Sequence, residues 1–212
     1  MAATAGDVAL RVTMPGASID APGIQVSSDA GAGTATLTVD PAALDDQAPG
    51  FVAPPEIALT SAGTFETHPD GSVTVRGGDA PVGGLDAPHG ARLVAVDDTR
   101  LELRAAGDAA AEDAVITLGT SAVAGTDWGE REGGRSLAVT PTDWTRAAGQ
   151  AGIDLAWSEL VAADPEVDTP TMHDQLECHA IGAPDKATWN LEPWRPDVGL
   201  LAVMAARCNP TS

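Results

Sequence analysis

The stretch GGRSLAVTPTDW, residues 133–144, marks a change from predicted strands to predicted helices. Ser136–Val139 has the short apolar pattern of a strand, whereas Thr142–Asp143, directly after a proline, offers a helix cap. From Trp144 to Val161, apolar residues then recur at helical spacing. The two sides of this stretch are therefore expected to have different secondary structure.

The chain before this change is predicted to be rich in strands. Short alternating segments are separated by Gly, Pro and Asp turns, which is typical of a sandwich, a barrel or a β-meander. The acidic region of residues 1–134 is therefore expected to form a β-sandwich or meander. The candidate strands from Val8 to about Thr140 are Val8–Met14, Ala35–Val39, Glu56–Thr60, Ser72–Arg76, Arg92–Val96, Arg100–Arg104, Ala114–Leu118 and Ser136–Val139.

The chain after this change is predicted to contain three helices. All five tryptophans fall after residue 125, so the C-terminal part is expected to have the larger aromatic core. The fold class is therefore α+β, with a small helical C-terminal domain at residues 135–212. Its predicted helices are Trp144–Val161, weakened in the middle by Gly149 and Gly152, then about Thr171 to His179, and about Pro196 to Cys208.

The charge of the chain restricts its partners. Acidic residues number 31 and basic residues 11, which gives a formal net charge of −20. Such a charge repels phosphate backbones and anionic lipids, so nucleic-acid and membrane-surface binding are not expected. We also expect no membrane insertion, because no segment approaches the roughly 20 apolar residues of a spanning helix. The start of the sequence lacks signal-peptide features, so export would require a leader that has been removed.

Residues His173, Glu177 and His179 suggest a metal site at first sight. On a helix, however, His179 lies roughly 120° around the axis from His173, so the three side chains cannot share one face. No alternating acidic calcium loop and no phosphate-binding glycine loop is present, and we predict neither a metal nor a cofactor. His173 with Asp174 could serve a hydrolase as base and orienting carboxylate, although no nucleophile motif accompanies them.

The segment from Asp185 to Asp197 is the best candidate for a binding site. It concentrates polar and aromatic residues in a stretch with little regular pattern, which suits a carbohydrate or peptide ligand. In the alternative interpretation, both tryptophans of this segment fill the core, and the arginine satisfies loop carbonyls or pairs with a carboxylate. The candidate ligand-binding residues are Trp189, Asn190, Glu192, Trp194 and Arg195.

The last third of the chain also carries motifs in a specific order. They are Leu137–Trp144 (LAVTPTDW), Thr171–Gln175, Cys178–His179, Ala183–Lys186, Trp189–Gly199 (WNLEPWRPDVG) and Cys208–Asn209. In these motifs the region resembles a DUF2599-like family of exported, mainly actinobacterial proteins whose function is unknown. The resemblance implies secretion and a disulfide between Cys178 and Cys208, and it assigns no catalytic residue. By themselves, two cysteines would equally suit buried free thiols in a cytosolic protein.

Taken together, these features predict an exported protein that binds a glycan, a peptide or another cell-envelope component. Binding is favoured over catalysis because no catalytic motif is complete. One alternative is an extracellular hydrolase or toxin-like enzyme that uses His173, Asp174 or an acidic pair. Another is a structural envelope protein that assembles through the edge strands of its β-rich half.

Overall fold

The structure, a computed structural model, describes residues 1–14, 23–46, 52–107 and 112–211. The chain divides into two units, Met1–Thr120 and Ser121–Ser212. This boundary lies before the expected one at residue 134, because Gly133 and Gly134 belong to a hairpin of the second unit. No described helix combines the length and apolar character needed to cross a membrane.

The first unit is a β-sandwich with eleven strands in its described residues. One sheet has the order β1-β2-β5-β10-β9, the other has the order β3-β4-β11-β8-β7-β6, and all their described pairings are antiparallel. The strands are β1 (Ala2–Ala5), β2 (Val8–Thr13), β3 (Ile24–Asp29), β4 (Thr34–Val39), β5 (Glu56–Leu59), β6 (Thr64–Thr67), β7 (Val73–Gly77), β8 (Ala80–Leu85), β9 (Ala91–Ala95), β10 (Arg100–Ala105) and β11 (Ala114–Gly119).

Alternation of apolar residues builds the core of this sandwich. In β2, Val8, Leu10 and Val12 are buried, whereas the residues between them face outward or are only partly covered. Buried aliphatic residues from both sheets join one apolar cluster, which includes Leu37 of β4 and Leu101 of β10. Because successive side chains of a strand point to opposite faces, each sheet can bury one face against the other.

The second unit combines a small sheet with helices. Its antiparallel sheet has the order β12-β13-β14. Buried residues of β13 and β14 join those of the helices in a core separate from that of the sandwich. The predicted α+β fold, β-rich first and then helical, is confirmed. The elements are β12 (Val123–Arg131), β13 (Gly134–Pro141), α1 (Asp143–Ala147), α2 (Gly149–Ala163), α3 (Pro170–Gly182), β14 (Trp189–Leu191) and α4 (Leu200–Ala205).

Two of the predicted helices differ in extent from the observed ones. The predicted helix Trp144–Val161 is divided into α1 and α2, because Gly149 has a left-handed φ of 60° at the junction. The predicted helix from Pro196 to Cys208 shrinks to α4. Gly199 precedes α4 with φ 78°, and Arg207 follows it with φ 53°, so the right-handed helix cannot extend further in either direction.

The two cysteines form a disulfide, as predicted. Cys178 near the end of α3 and Cys208 after α4 are joined with a Cα–Cα distance of 5.6 Å, across 30 residues of sequence. The bond encloses β14 and the loop that follows it. The candidate binding segment is therefore fixed on both sides.

Candidate functional site

The five candidate ligand-binding residues lie in and just after β14, but they differ in exposure. Trp189 is fully buried in the core, where its backbone pairs with Val139 of β13. Glu192 and Arg195 are also buried, and Asn190 is partly buried. Trp194 is 43% exposed. Among the five, only Trp194 therefore presents a large exposed surface to a ligand.

Arg195 is a structural cation inside this loop. Its side chain has 0% exposure, and its Nε donates to the buried carboxylate of Glu192. One terminal nitrogen, Nη2, donates to Glu132 Oε2 at 2.9 Å, and the other, Nη1, donates to the Pro210 carbonyl at 3.2 Å. A buried guanidinium needs such partners, because an unpaired buried charge is strongly destabilising. The alternative interpretation of Arg195, pairing with carboxylates and a carbonyl, therefore describes its contacts.

Gln175 holds the backbone at Glu192. Gln175 of α3 is fully buried, and its Oε1 accepts from the Glu192 N–H at 3.0 Å. Its Nε2 donates to the Glu192 carbonyl at 3.1 Å and to the Thr171 carbonyl at 3.0 Å. The side-chain amide thus occupies both backbone groups of Glu192, which satisfies buried polar atoms and fixes the loop to α3.

Trp194 is held in place although it is exposed. A Cβ atom added to Gly134 would overlap the Trp194 ring atoms Cδ1 and Nε1, so the indole packs directly on the glycine backbone. The Arg195 guanidinium carbon lies 4.5 Å from the ring centroid, a cation–π distance. The ring is therefore restrained by two contacts while part of its surface remains open to solvent. Such preorganisation reduces the entropic cost of binding.

The segment after Trp194 exposes further apolar side chains. On α4, Leu201 is 84% exposed, and Met204 lies three residues further along the same helix face. Val198, just before α4, is also exposed. The exposed apolar side chains of Trp194, Val198, Leu201 and Met204 are called the apolar segment below.

The candidate catalytic residues acquire no complete set of partners among the described residues. His173 of α3 packs edge-on against Trp157 of α2, with ring centroids 4.7 Å apart. Cys178 is in the disulfide, so it cannot act as a thiolate nucleophile. In the part of the chain that the structure describes, no group of three or more His, Cys, Asp or Glu residues could hold a metal ion.

His179 directly follows Cys178 in α3, and its contacts are those of a buried structural residue. It is buried, and its Nε2 lies 3.1 Å from the Asn190 carbonyl of β14. Burial, and secondarily the charge of Lys186, lowers the pKa of His179 from 6.5 to about 4. The side chain is therefore neutral at pH 7 and can donate to that carbonyl.

Sequence reasoning did not identify Gln175, Glu132, Gly134 and Pro210 as parts of this arrangement. Gln175 lies among the motifs of α3 but carries no charge or aromatic ring that would single it out. Glu132 is one of 31 acidic residues, and its distance from Arg195 in sequence is 63 residues. Only the fold brings these residues together.

Comparisons with known proteins agree with this division of the chain. Residues 123–211 match a family model described as a protein of unknown function (DUF2599). The matched segment lies within the second unit, Ser121–Ser212, and covers nearly all of it. The matched range spans the positions of the residues around Arg195, from Glu132 to Pro210.

Uncharacterized mycobacterial proteins are similar to the same region. One from Mycobacterium tuberculosis and one from Mycobacterium bovis are each 42% identical over 95 residues, which is 41% of this chain and 64% of the relative. One from Mycobacterium leprae is 40% identical over 81 residues, 36% of this chain and 60% of the relative. The chain thus spans less than two thirds of the length of these relatives. No solved structure matches the chain at a significant level.

Proposed function

We propose that the protein is an exported binding protein that takes an extracellular or cell-envelope ligand on the apolar segment. The observation that carries this proposal is Trp194, which is 43% exposed although the adjacent Arg195 and the nearby Glu192 are buried and hydrogen-bonded. Exposed tryptophans on rigid supports are typical energetic centres of binding surfaces. The disulfide supports export, because such bonds persist mainly in oxidising compartments.

A peptide with apolar and basic side chains is the ligand class that this surface favours. Val198, Leu201 and Met204 are further exposed aliphatic side chains in the residues that follow Trp194, and such side chains suit apolar groups better than sugar hydroxyls. The net charge of −20 attracts a cationic ligand and increases its rate of association. The three-residue spacing of Leu201 and Met204 presents both side chains on one side of α4.

Binding is favoured over hydrolysis by the contacts of the candidate catalytic groups. The His173 ring packs against Trp157, and Cys178 is in a disulfide. The hydrolase alternative predicts a measurable substrate turnover that decreases in the His173→Ala variant. A turnover with that property would replace the binding proposal.

The test is a titration of the oxidised protein with fluorescein-labelled peptides that alternate Leu and Lys, followed by anisotropy. Trp194→Ala is expected to weaken binding by roughly 30-fold or more, the loss typical of a tryptophan that dominates an interface. Leu201→Ser should weaken it less, and Val96→Ser, which changes an exposed valine of the first unit, should leave it unchanged.

A parallel titration with oligomers of N-acetylglucosamine separates the two ligand classes. Glycan binding that depends on Trp194, without peptide binding, would overturn the peptide assignment and keep the binding role. Peptide binding that is equal in the wild type and in Trp194→Ala would place the site elsewhere. Absence of both kinds of binding would refute the proposal.

A further inference from the structure

The C-terminal segment Gly199–Thr211, called the cover below, buries few of its side chains against the rest of its unit. Its buried residues are Val203, Cys208 and Pro210, and the first two form a small cluster with Cys178 and the partly buried Leu200. Most other side chains of α4 are exposed, including Leu201 at 84%. Because buried apolar area is the main source of packing energy, the noncovalent attachment of the cover is weak.

The backbone at the end of α4 adopts an unfavourable conformation. Arg207 and Cys208 have φ values of 53° and 68°, in the left-handed region that residues with a Cβ rarely adopt. The turn is closed by hydrogen bonds from Arg207 N–H to Met204 O at 3.0 Å and from Cys208 N–H to Val203 O at 2.9 Å. Such strain persists only where the surroundings impose it. The disulfide at Cys208 is a strong constraint of this kind.

Beyond Cys208 the chain returns to the buried ion pair. Pro210 is buried, and its carbonyl accepts from Arg195 Nη1 at 3.2 Å. Glu192, the buried partner of Arg195, has 1% exposure, whereas the other partner, Glu132, is 61% exposed. The ion pair is therefore close to the protein surface, and the end of the cover supplies one of its hydrogen bonds.

We propose that the cover is latched by the disulfide and that reduction of Cys178–Cys208 opens it. A dithiol reductant would donate two electrons and two protons: the protein S–S bond breaks, two protein thiols form, and the dithiol becomes a disulfide. Without the bond, the cover keeps only Val203 and Pro210 as buried residues that hold it in place, and the strained turn relaxes. The Arg195 guanidinium then becomes accessible to water and to carboxylate or phosphate groups. This inference does not depend on the ligand of the apolar segment.

The test measures modification of arginines by phenylglyoxal in the full chain, oxidised or reduced and capped with iodoacetamide, with mapping by mass spectrometry. The modification rate of Arg195 is expected to rise by about tenfold or more on reduction, as in local opening. Arg92, an exposed arginine of the first unit, serves as the internal control and should react equally in both forms. Unchanged protection of Arg195 in reduced, folded protein would overturn the proposal.

Two variants separate the latch from general unfolding. Cys178→Ser/Cys208→Ser should show the reactive Arg195 without reductant. A chain that ends at Asn209 keeps both cysteines but lacks the Pro210 carbonyl, so Arg195 should react faster although the disulfide is intact. If Arg195 stays protected in that shortened chain, residues after Asn209 do not cover it and the proposal is wrong.

Hydrogen exchange of the β12–β13 hairpin distinguishes local opening from loss of the whole unit. Its amide protection should be unchanged on reduction, while residues 199–211 lose theirs. Loss of protection throughout the second unit would show that the disulfide holds the fold rather than a cover, and would also overturn the proposal.

Discussion

At the scale of single residues, each unit contains a titratable side chain whose pKa is shifted by burial. In the first unit, burial raises the pKa of Asp86 from 3.8 to about 6, although the Thr117 N–H donates to its Oδ1 and opposes the shift. In the second unit, burial lowers the pKa of His179 to about 4. Burial disfavours the charged form in both cases, so the two groups give stability opposite pH dependences.

Asp86→Asn is expected to stabilise the first unit at neutral pH. The folded-state pKa of Asp86 lies above the unfolded value of 3.8. The stabilising contribution of Asp86 to the free energy of unfolding is therefore fully present below about pH 4 and is lost as pH rises through 6. Asparagine keeps an oxygen to accept from Thr117 N–H and does not ionise. The free energy of unfolding in urea should therefore increase by roughly 1–3 kcal/mol at pH 7.5 and change little at pH 4. Asp79→Asn, at an exposed position, should reproduce the wild-type pH profile.

His179→Gln is expected to reduce the acid sensitivity of the second unit. The folded-state pKa of about 4 is below the unfolded value of 6.5, so the stabilising contribution is present above pH 6.5 and is lost as pH falls toward 4. Unfolding followed by tryptophan fluorescence should show a wild-type loss on the order of 3 kcal/mol across this window. Glutamine can still donate to the Asn190 carbonyl but does not titrate. Identical slopes in the two proteins would contradict the assignment, and His89→Gln is the exposed control.

At the scale of elements, the β12–β13 hairpin and the loop after β14 depend on each other through Gly134 and Trp194. The Gly134 backbone is not left-handed, so alanine is compatible with its φ, but the added Cβ would overlap the indole. Gly134→Ala should destabilise the second unit by roughly 1–3 kcal/mol, the usual cost of overpacking. Gly125→Ala in β12 is the matched control, because a Cβ there meets nothing within 4 Å.

A double variant tests whether the indole is the cause of that loss. In Gly134→Ala/Trp194→Ala the new methyl group occupies space that the ring has left, so the two losses should not add. We expect a coupling energy of about 1 kcal/mol or more from urea unfolding followed by far-UV circular dichroism. Additive losses would show that Trp194 does not rest on Gly134.

The sequence predicts these elements best where one periodicity is uninterrupted. All eight candidate strands coincide with observed strands, because alternation matches burial on one face of a sheet. β14 has three residues, too few for a periodic signal, and β12 is mostly exposed, so it lacks the alternation. The helix boundaries at Gly149 and Arg207 depend on left-handed residues, and an arginine gives no sequence signal for that conformation.

The candidate site was predictable as a segment but not residue by residue. Trp189 and Trp194 are five positions apart in a segment without a regular sequence pattern. Sequence alone is compatible with a core role and with a binding role for each of them. The fold gives them different roles, because β14 pairing directs Trp189 into the core and the following turn places Trp194 over Gly134. Arg195 is buried because Glu192, Glu132 and Pro210 converge on it, and two of these partners are distant in sequence.

At the scale of the whole molecule, the described residues form three apolar clusters, and none of them combines residues of both units. The one cluster of the first unit extends from Ala3 to Leu118, and the two clusters of the second unit lie between Ala122 and Cys208. A region that buries its own apolar residues meets the main requirement for folding alone. The family match to residues 123–211 is consistent with a second unit that occurs as a distinct segment.

The tryptophans allow the independence of the units to be measured directly. All five lie in the second unit, so tryptophan fluorescence follows this unit without contribution from the first. A chain of residues 121–212 with its disulfide formed should unfold cooperatively in urea, at the same midpoint as the fluorescence transition of the full protein. Residues 1–120, followed by far-UV circular dichroism, should likewise retain a cooperative transition. A fluorescence midpoint that is lower by about 1 M urea in the isolated unit, more than a typical error of extrapolation, would show that residues 1–120 stabilise it. The two units would then not fold independently.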